Sequence, residues 1–456
     1  MNSDLDKKYL WHPFTPTDLW LDPAHEPVVI VEGEGSWLMD ANGRRYLDGN
    51  SSIWTNLHGH RHPALNHAIK TQLDRIAHSS FLGLTNEPAP QLAEKLLQAA
   101  AGEKTPHLHR CFLSDDGSTA VEAALKIAHQ YFQQNGEEQR TRFISLGSAY
   151  HGDTVGAMSV GHSPLFHKTY RQMLFSSDEV MSPHCYRCPF NQARPEKQDA
   201  RLVRKCHWEC LAQVEKKFQE HQDRSAAWVI EPRVQGAAGF IMHPEGYLQE
   251  TSALARQHGA LVILDEVMTG FGRTGPLFAF QKEEVQPDLV ALAKGLTGGY
   301  LPLAATLLTE KLFLGFRGHP SRTFYHGHSY TGNQLGCAAA LASLDLLQSE
   351  PVRQNRLRLE NVLRHSHEKF WQLPHTGDVR QEGCILAIEL VEDFASRRPF
   401  DPARCTGAEV CRQAAALGLL TRPVGDVLVL MPPYSTTETE ALLMIERLHQ
   451  AIQNTF

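Results

Sequence analysis

Three short apolar runs, each closed by an ionisable residue, restrict what this chain can fold into. AAWVIEP ends in Glu231, ALVILDEV ends in Asp265 and Glu266, and DLVALAK ends in Lys294. Continuous apolar runs, as opposed to alternating ones, are the pattern of strands buried on both faces. From about residue 110 to 330 such runs alternate with loops and helical stretches such as EGYLQETSALARQHG. RCFLSDDGSTAVEAALKIAHQYF reads as strand, tight turn and helix, and TRFISLGSAYHGDT as strand and loop. This rhythm predicts an α/β fold with a mostly parallel sheet covered on both faces. Sheets of this kind carry ligands beyond the carboxyl ends of their strands, where the ionisable residues stand.

A chain of 456 residues is too long for one simple core. Residues 1–61 read as an N-terminal segment of a smaller domain, 62–330 as the large domain and 331–456 as the C-terminal part of the smaller one. In the first, VVIVEGEGSWLMDANGRRYLDGN predicts short strands joined at Asn42-Gly43. HPALNHAIKTQLDRIAH and PAPQLAEKLLQAAAG predict helices, the second stopping at Gly102. The last part holds the helix TGNQLGCAAALASLDLLQ, the strands GCILAIEL and DVLVLMPP, and a closing helix TETEALLMIERLHQAIQ. The polar stretch 190–206 predicts an exposed loop.

A formal net charge of -7 argues against a nucleic-acid partner. No apolar run is long enough to span a membrane, and MNSDLDKKYLWHPFTP has no apolar signal core. A cytoplasmic protein acting on small molecules is expected. Of nine cysteines, Cys185, Cys188, Cys206 and Cys210 cluster in HCYRC and CHWEC. Their spacing is compatible with a structural zinc site. Equally, reduced thiols need no metal, and no metal ligand is assigned.

Most lysines at strand ends are surface residues. Lys294 differs in following an apolar strand and preceding GLTGG, whose glycines let backbone approach closely. A lysine shielded from water has a lowered pKa and a nucleophilic amine. Asp265 could simply cap a turn. Paired with Lys294, it suits pyridoxal 5′-phosphate (PLP), whose aldehyde needs a lysine and whose ring nitrogen needs an acidic partner. Gly117 and Ser118 open an Ala-rich helix, where free N–H groups and the helix dipole favour a phosphate; an ordinary N-cap is the commoner use of such a serine. Tyr150, beside His151, could flank a cofactor ring or be a rim aromatic. Glu231 could be satisfied by neighbouring amides, or pair with an arginine or a substrate amine. Arg422 could bind a substrate carboxylate, and Ser329 could reach a phosphate oxygen.

DEVMTGFGRTG, AKGLTGGYLPLAAT and FYHGHSYTGNQLGCAAA together resemble the class III (omega) aminotransferases, PLP enzymes of fold type I. WHPFTP, SSIWTNLHGHRHP and TRPVGDVLVLMPPY narrow the likeness to a branch serving biotin synthesis, and it covers essentially the whole chain. The resemblance implies a large domain with a mostly parallel sheet and a smaller α+β domain built from both termini. It implies PLP held by Lys294, Asp265, Gly117, Ser118 and Tyr150, with His328 and Ser329 reaching the phosphate across a homodimer interface. Trp54, Gly327 and Arg422 would meet substrate. The implied reaction moves an amine onto the ketone of 8-amino-7-oxononanoate. Ile53, Phe14 and Val429 replace aromatic residues found in many members that use S-adenosylmethionine. The donor thus stays open between S-adenosylmethionine, the usual one and the first choice, and lysine, used by a branch with a single tryptophan at this place. Another omega-aminotransferase activity and a non-catalytic zinc-clipped scaffold are the further alternatives.

Overall fold

The N-terminal strands form as the turn chemistry requires. β1 (Ile30–Glu34), β2 (Trp37–Asp40) and β3 (Arg45–Asp48) pair antiparallel in sequence order. Between β2 and β3 the chain turns through Asn42 and Gly43, the glycine at φ 78°. Asp40 Oδ1 accepts the N–H groups of Asn42 and Arg44, each at 2.9 Å, which fixes the turn. The computed structural model from which these elements are read describes residues 2–102 and 106–456.

The alternating middle of the chain supplies β4 (Leu108–Ser114), β5 (Arg142–Leu146), β6 (Asp178–Val180), β7 (Ser225–Ile230), the short hairpin β8 (Val234–Gln235) and β9 (Ile241–Met242), β10 (Leu261–Asp265), β11 (Leu289–Leu292) and β12 (Ala304–Thr309). Seven of these build one sheet in the order β4-β12-β11-β10-β7-β5-β6. Only β12 runs against its neighbours; the other six strands share one direction. Every residue of β7, β10, β11 and β12 is buried, as the unbroken apolar runs predict.

The two-residue period of a strand splits these runs between two cores. Trp228, Ile230, Val262, Leu264, Val290 and Leu292 join one apolar cluster. Ala227, Val229, Leu261, Ile263, Leu289 and Ala291 join the other. The helix Gly117–Gln134 packs on that second face with a largely small-residue surface, burying Ala120, Val121, Ala124, Ile127 and Ala128.

The C-terminal strands are β13 (Thr376–Glu382), β14 (Ile385–Leu390), β15 (Leu419–Leu420) and β16 (Val427–Leu430). β13, β14 and β16 form an antiparallel sheet. β15 pairs with β3 in parallel, Leu419 opposite Leu47, so one four-stranded sheet takes strands from both ends of the chain. The helix Glu438–Thr455 closes the chain, capped by Thr437 and Glu440. No helix among the described residues is long and apolar enough to cross a membrane.

Residues 190–206 contain no helix or strand, but they are not simply exposed. Asn191, Ala193 and Ala200 are buried. The Asn191 side chain donates to Cys185 O and accepts from Lys205 N, both at 2.8 Å, closing the loop on itself. Arg201 pairs with Asp199 at 2.7 Å and with Glu382 of β13 at 2.9 Å. Polar composition here reflects inward pairing as well as solvation.

A second buried cation, Arg380, sits between Asp378 (3.0 Å) and Glu389 (2.7 Å) and donates to the carbonyls of Gly239 and Phe240. Removing one partner of such a set leaves charge buried without compensation. Arg380→Met is therefore expected to lower stability by about 3–5 kcal/mol in urea unfolding. A loss well below about 1 kcal/mol would show that the carboxylates find other partners or water.

Candidate active site

The parallel register of β7, β10 and β11 lines up the residues that end them. Leu264 lies opposite Ile230, and Asp265 opposite Ala291. Glu231, Asp265 and Lys294 consequently open on one cavity of about 530 Å³. Lys294 starts a short 3-10 turn at a left-handed φ of 46°, a conformation that costs a residue with a side chain about 1–3 kcal/mol. Behind it, a Cβ on Gly299 would stand 2.7 Å from Asn56 Cα, so only glycine lets these backbones meet. The lysine is deeply set, and what surface it exposes faces the cavity. Burial lowers its pKa, opposed by the charges of Asp265 and Glu231. Its Nζ lies 5.4 Å from the centre of the Trp54 ring.

Asp265 is held from behind. Its Oδ1 accepts Val267 N at 3.0 Å, and Oδ2 lies 2.7 Å from His151 Nδ1. Because a carboxylate only accepts, the proton of this bond sits on His151 Nδ1. Burial lowers the imidazole's pKa, but the hydrogen bond and charge of Asp265 more than reverse this, and the net shift is upward. A carboxylate fixed in this way suits a protonated ring nitrogen.

The helix Gly117–Gln134 begins at the cavity wall. Asp116 caps it by accepting Thr119 N at 2.9 Å and Ser118 Oγ at 2.8 Å. The first intrahelical bond runs from Ala120 N to Asp116 O. The N–H groups of Gly117 and Ser118 thus precede the helix ladder and are placed for an anion. A Cβ on Gly117 would meet Val267 at 2.6 Å, and one on Gly152 would meet Ser118 at 2.2 Å, so both glycines are needed for this close packing. Tyr150 donates its hydroxyl to Asp153 at 2.7 Å and stands against Phe166 and His167. Burial, then the bond to Asp153, raises its pKa. Amine, carboxylate, anion-binding helix end and flat aromatic together match what PLP requires.

Trp54 is placed by strained backbone. Ser51, Ser52, Ile53 and Trp54 all have positive φ, between 43° and 69°, each costing about 1–2 kcal/mol. Asp48 holds the strain by accepting Ser52 N (2.8 Å), Ser52 Oγ (2.9 Å) and His60 Nε2 (2.9 Å). Ser51 Oγ is tied to Met431 O at 2.6 Å. The Trp54 ring meets Phe240 edge-on at 5.2 Å.

Of the residues singled out from sequence, Trp54, Gly117, Ser118, Tyr150, Asp265 and Lys294 share the cavity. Gly327, His328, Ser329 and Arg422 lie outside its lining. Gly327 and Ser329 are exposed, and His328 is half-buried beside His326. Arg422 is exposed and donates to Phe14 O at 3.2 Å. His151 was not among the site residues chosen from sequence, although its place next to Tyr150 is a usable signal. Cys185, Cys188, Cys206 and Cys210 are free thiols around one small cavity with Trp208 and Pro244. Among the described residues no group of three or more His, Cys, Asp or Glu side chains stands so as to hold a metal ion.

Residues 21–452 match the family described as aminotransferase class-III. The adenosylmethionine-8-amino-7-oxononanoate aminotransferase of Geobacter sulfurreducens is 46% identical, over 98% of this chain and 96% of its own. That of Methanocaldococcus jannaschii is 41% identical, over 98% and 97%. The crystal structure of the Methanocaldococcus jannaschii enzyme superposes with a TM-score of 0.91, covering 99% of this chain and 98% of that one at 39% identity. A PLP-bound amine transaminase from an uncultivated Pseudomonas species superposes at 0.89, covering 98% and 99% at 34% identity.

Glu266, next to Asp265, is fully buried and accepts Phe280 N at 2.9 Å and Thr269 Oγ1 at 2.8 Å. Burial pushes its carboxyl up to about 7 from an ordinary 4.5. Between those values the folded chain binds a proton that the unfolded chain has lost, so this group's stabilising contribution declines as pH rises through that window. Glu266→Gln keeps the shape without the titration. The variant's stability relative to the parent is expected to improve by about 1–3 kcal/mol between pH 5 and pH 8. A pH-independent difference in chemical unfolding would contradict the assignment.

Proposed function

The chain belongs to the class-III aminotransferases, and from that premise we propose that it moves an amine from S-adenosylmethionine to the ketone of 8-amino-7-oxononanoate, giving 7,8-diaminononanoate. The observation that carries this reading is the convergence of Lys294 and Asp265 on one cavity beside the free helix end at Gly117 and Ser118. The donor rests on the relatives, which bear adenosylmethionine in their names over nearly their full lengths.

PLP, when bound, supplies an aldehyde that carries the amine and a ring that withdraws electrons from the reacting carbon. Lys294 Nζ, its pKa lowered, is able to take a proton from the substrate carbon and return it. Asp265, steadied by His151, provides the fixed negative charge that keeps a ring nitrogen protonated. The N–H groups of Gly117 and Ser118 would hold its phosphate, Tyr150 would flank its ring, and Trp54 would wall the substrate side. Arg422 is the residue assigned to the substrate carboxylate, by a bidentate pair.

The reading includes a homodimer in which Gly327, His328 and Ser329 of one copy reach the cavity of the other. Support comes from their position outside their own cavity, on a segment with much apolar exposure. Tyr325 is 80% exposed, and Tyr330 is exposed beside His78. The nearby stretch with Leu82 (89% exposed) is tied to the same turn, through Asn86 to Gly332 O at 2.8 Å.

Lys294→Ala is expected to fold and bind PLP while kcat falls by at least about 100-fold; near-parental turnover would overturn the role. In a half-reaction followed by loss of the cofactor's aldehyde absorbance, S-adenosylmethionine is expected to react and lysine to leave the absorbance unchanged. The reverse outcome would overturn the donor.

A further inference from the structure

One buried acid of the cavity has no part in the roles given to Lys294 and Asp265. Glu231 ends β7, is buried, and opens on the cavity together with Lys294. Its oxygens accept only backbone groups, Oε2 from Gly236 N at 2.9 Å and Oε1 from Tyr150 N at 3.4 Å. Among the described residues no arginine or lysine lies within ion-pair distance of it, and both of its hydrogen bonds are to backbone. Burial pushes its carboxyl up to about 7; the charge of His151 opposes the rise and that of Asp265 adds to it. A buried carboxylate is stable only when paired or hydrogen-bonded to capacity, and each oxygen here still has a free acceptor site.

The other acids of the cavity have partners or places of their own. Asp265 is engaged by His151 and Val267, Asp116 by its helix cap, and Asp153, exposed, by Tyr150. Asp115 stands at the same helix end as Asp116. Glu231 is the buried acid whose oxygens are held by backbone N–H groups alone, with the charges of His151 and Lys294 acting on it but no side chain bonded to it. The acceptor assigned above carries an amine on the carbon next to its reacting ketone. Whatever receives that amine must lie in the cavity that holds Lys294.

Resting on that substrate reading, we propose that Glu231 receives the ammonium group adjacent to the reacting ketone, and so selects α-amino ketones over plain ketones. The contact is a charge-assisted hydrogen bond to a carboxylate that is itself buried, where such bonds discriminate strongly. It orients the acceptor as well: with the ammonium on Glu231, the ketone carbon is two bonds from its nitrogen and faces the lysine side of the cavity.

The test compares two acceptors on PLP-loaded enzyme, 8-amino-7-oxononanoate and 7-oxononanoate, which lacks only the amine. The parent is expected to prefer the amino ketone by about 10- to 100-fold in kcat/KM. Glu231→Gln should abolish that preference, with activity on the amino ketone falling about 10- to 100-fold further than activity on 7-oxononanoate. An unchanged preference, or an equal loss on both ketones, overturns the proposal and leaves Glu231 a structural acid. If Glu231→Gln fails to hold PLP, the parent alone still decides, because equal activity on the two ketones overturns the proposal. A parent enzyme that turns over neither ketone overturns the substrate reading and this inference together. Turnover with no role for Glu231 overturns the inference alone.

Discussion

The register between β7, β10 and β11 is the constraint on which the site depends. Shifting a strand by one residue would send its side chains to the opposite face. The pairing of Leu264 with Ile230 and of Asp265 with Ala291 fixes where Glu231, Asp265 and Lys294 emerge. Alternate residues are committed to two different cores, so a one-residue slip would move each side chain into a space packed for another. Core packing and catalytic geometry are thus set by the same alternation.

On that frame the cavity and its immediate surroundings hold groups that neither burial nor backbone preference would favour. Lys294 and four successive residues ending at Trp54 occupy left-handed backbone. Glu231 and Glu266 are buried acids with strongly raised pKa values. Such features persist where surrounding structure over-determines them. Asp48 provides this for the Trp54 segment, with three hydrogen bonds to a carboxylate that is itself buried. Gly299 provides it behind Lys294, by letting Asn56 close in. The small sheet contributes directly, since Asp48 ends β3 and β3 is paired with β15 from the far end of the chain. Residues distant in sequence therefore support one wall of the cavity.

Much of this was legible in the sequence, for identifiable reasons. The parallel sheet followed from unbroken apolar runs, and Lys294 and Asp265 from the strand ends they occupy. Gly117 and Ser118 were visible as a helix start. His151 was not selected, because a histidine beside an aromatic has no pattern until its partner, Asp265, 114 residues away, is brought to it. The strain at Ser51–Trp54 was invisible, since no glycine marks the left-handed backbone there. The loop at 190–206 looked exposed because its polar residues pair inward with β13, a strand far along the chain. Ser329 and Arg422 were suggested by residue type, Gly327 and His328 by family likeness alone, and a single chain brings none of the four to the cavity.

The central claim is that Lys294 and Asp265 grip one bound group from two sides. Borohydride reduction of the PLP-loaded protein, followed by peptide mass mapping, addresses it most directly. The account predicts a single stable cofactor adduct on Lys294, with the yield sharply reduced in Asp265→Ala. An adduct on another lysine, or labelling of Lys294 that ignores loss of Asp265, would contradict it.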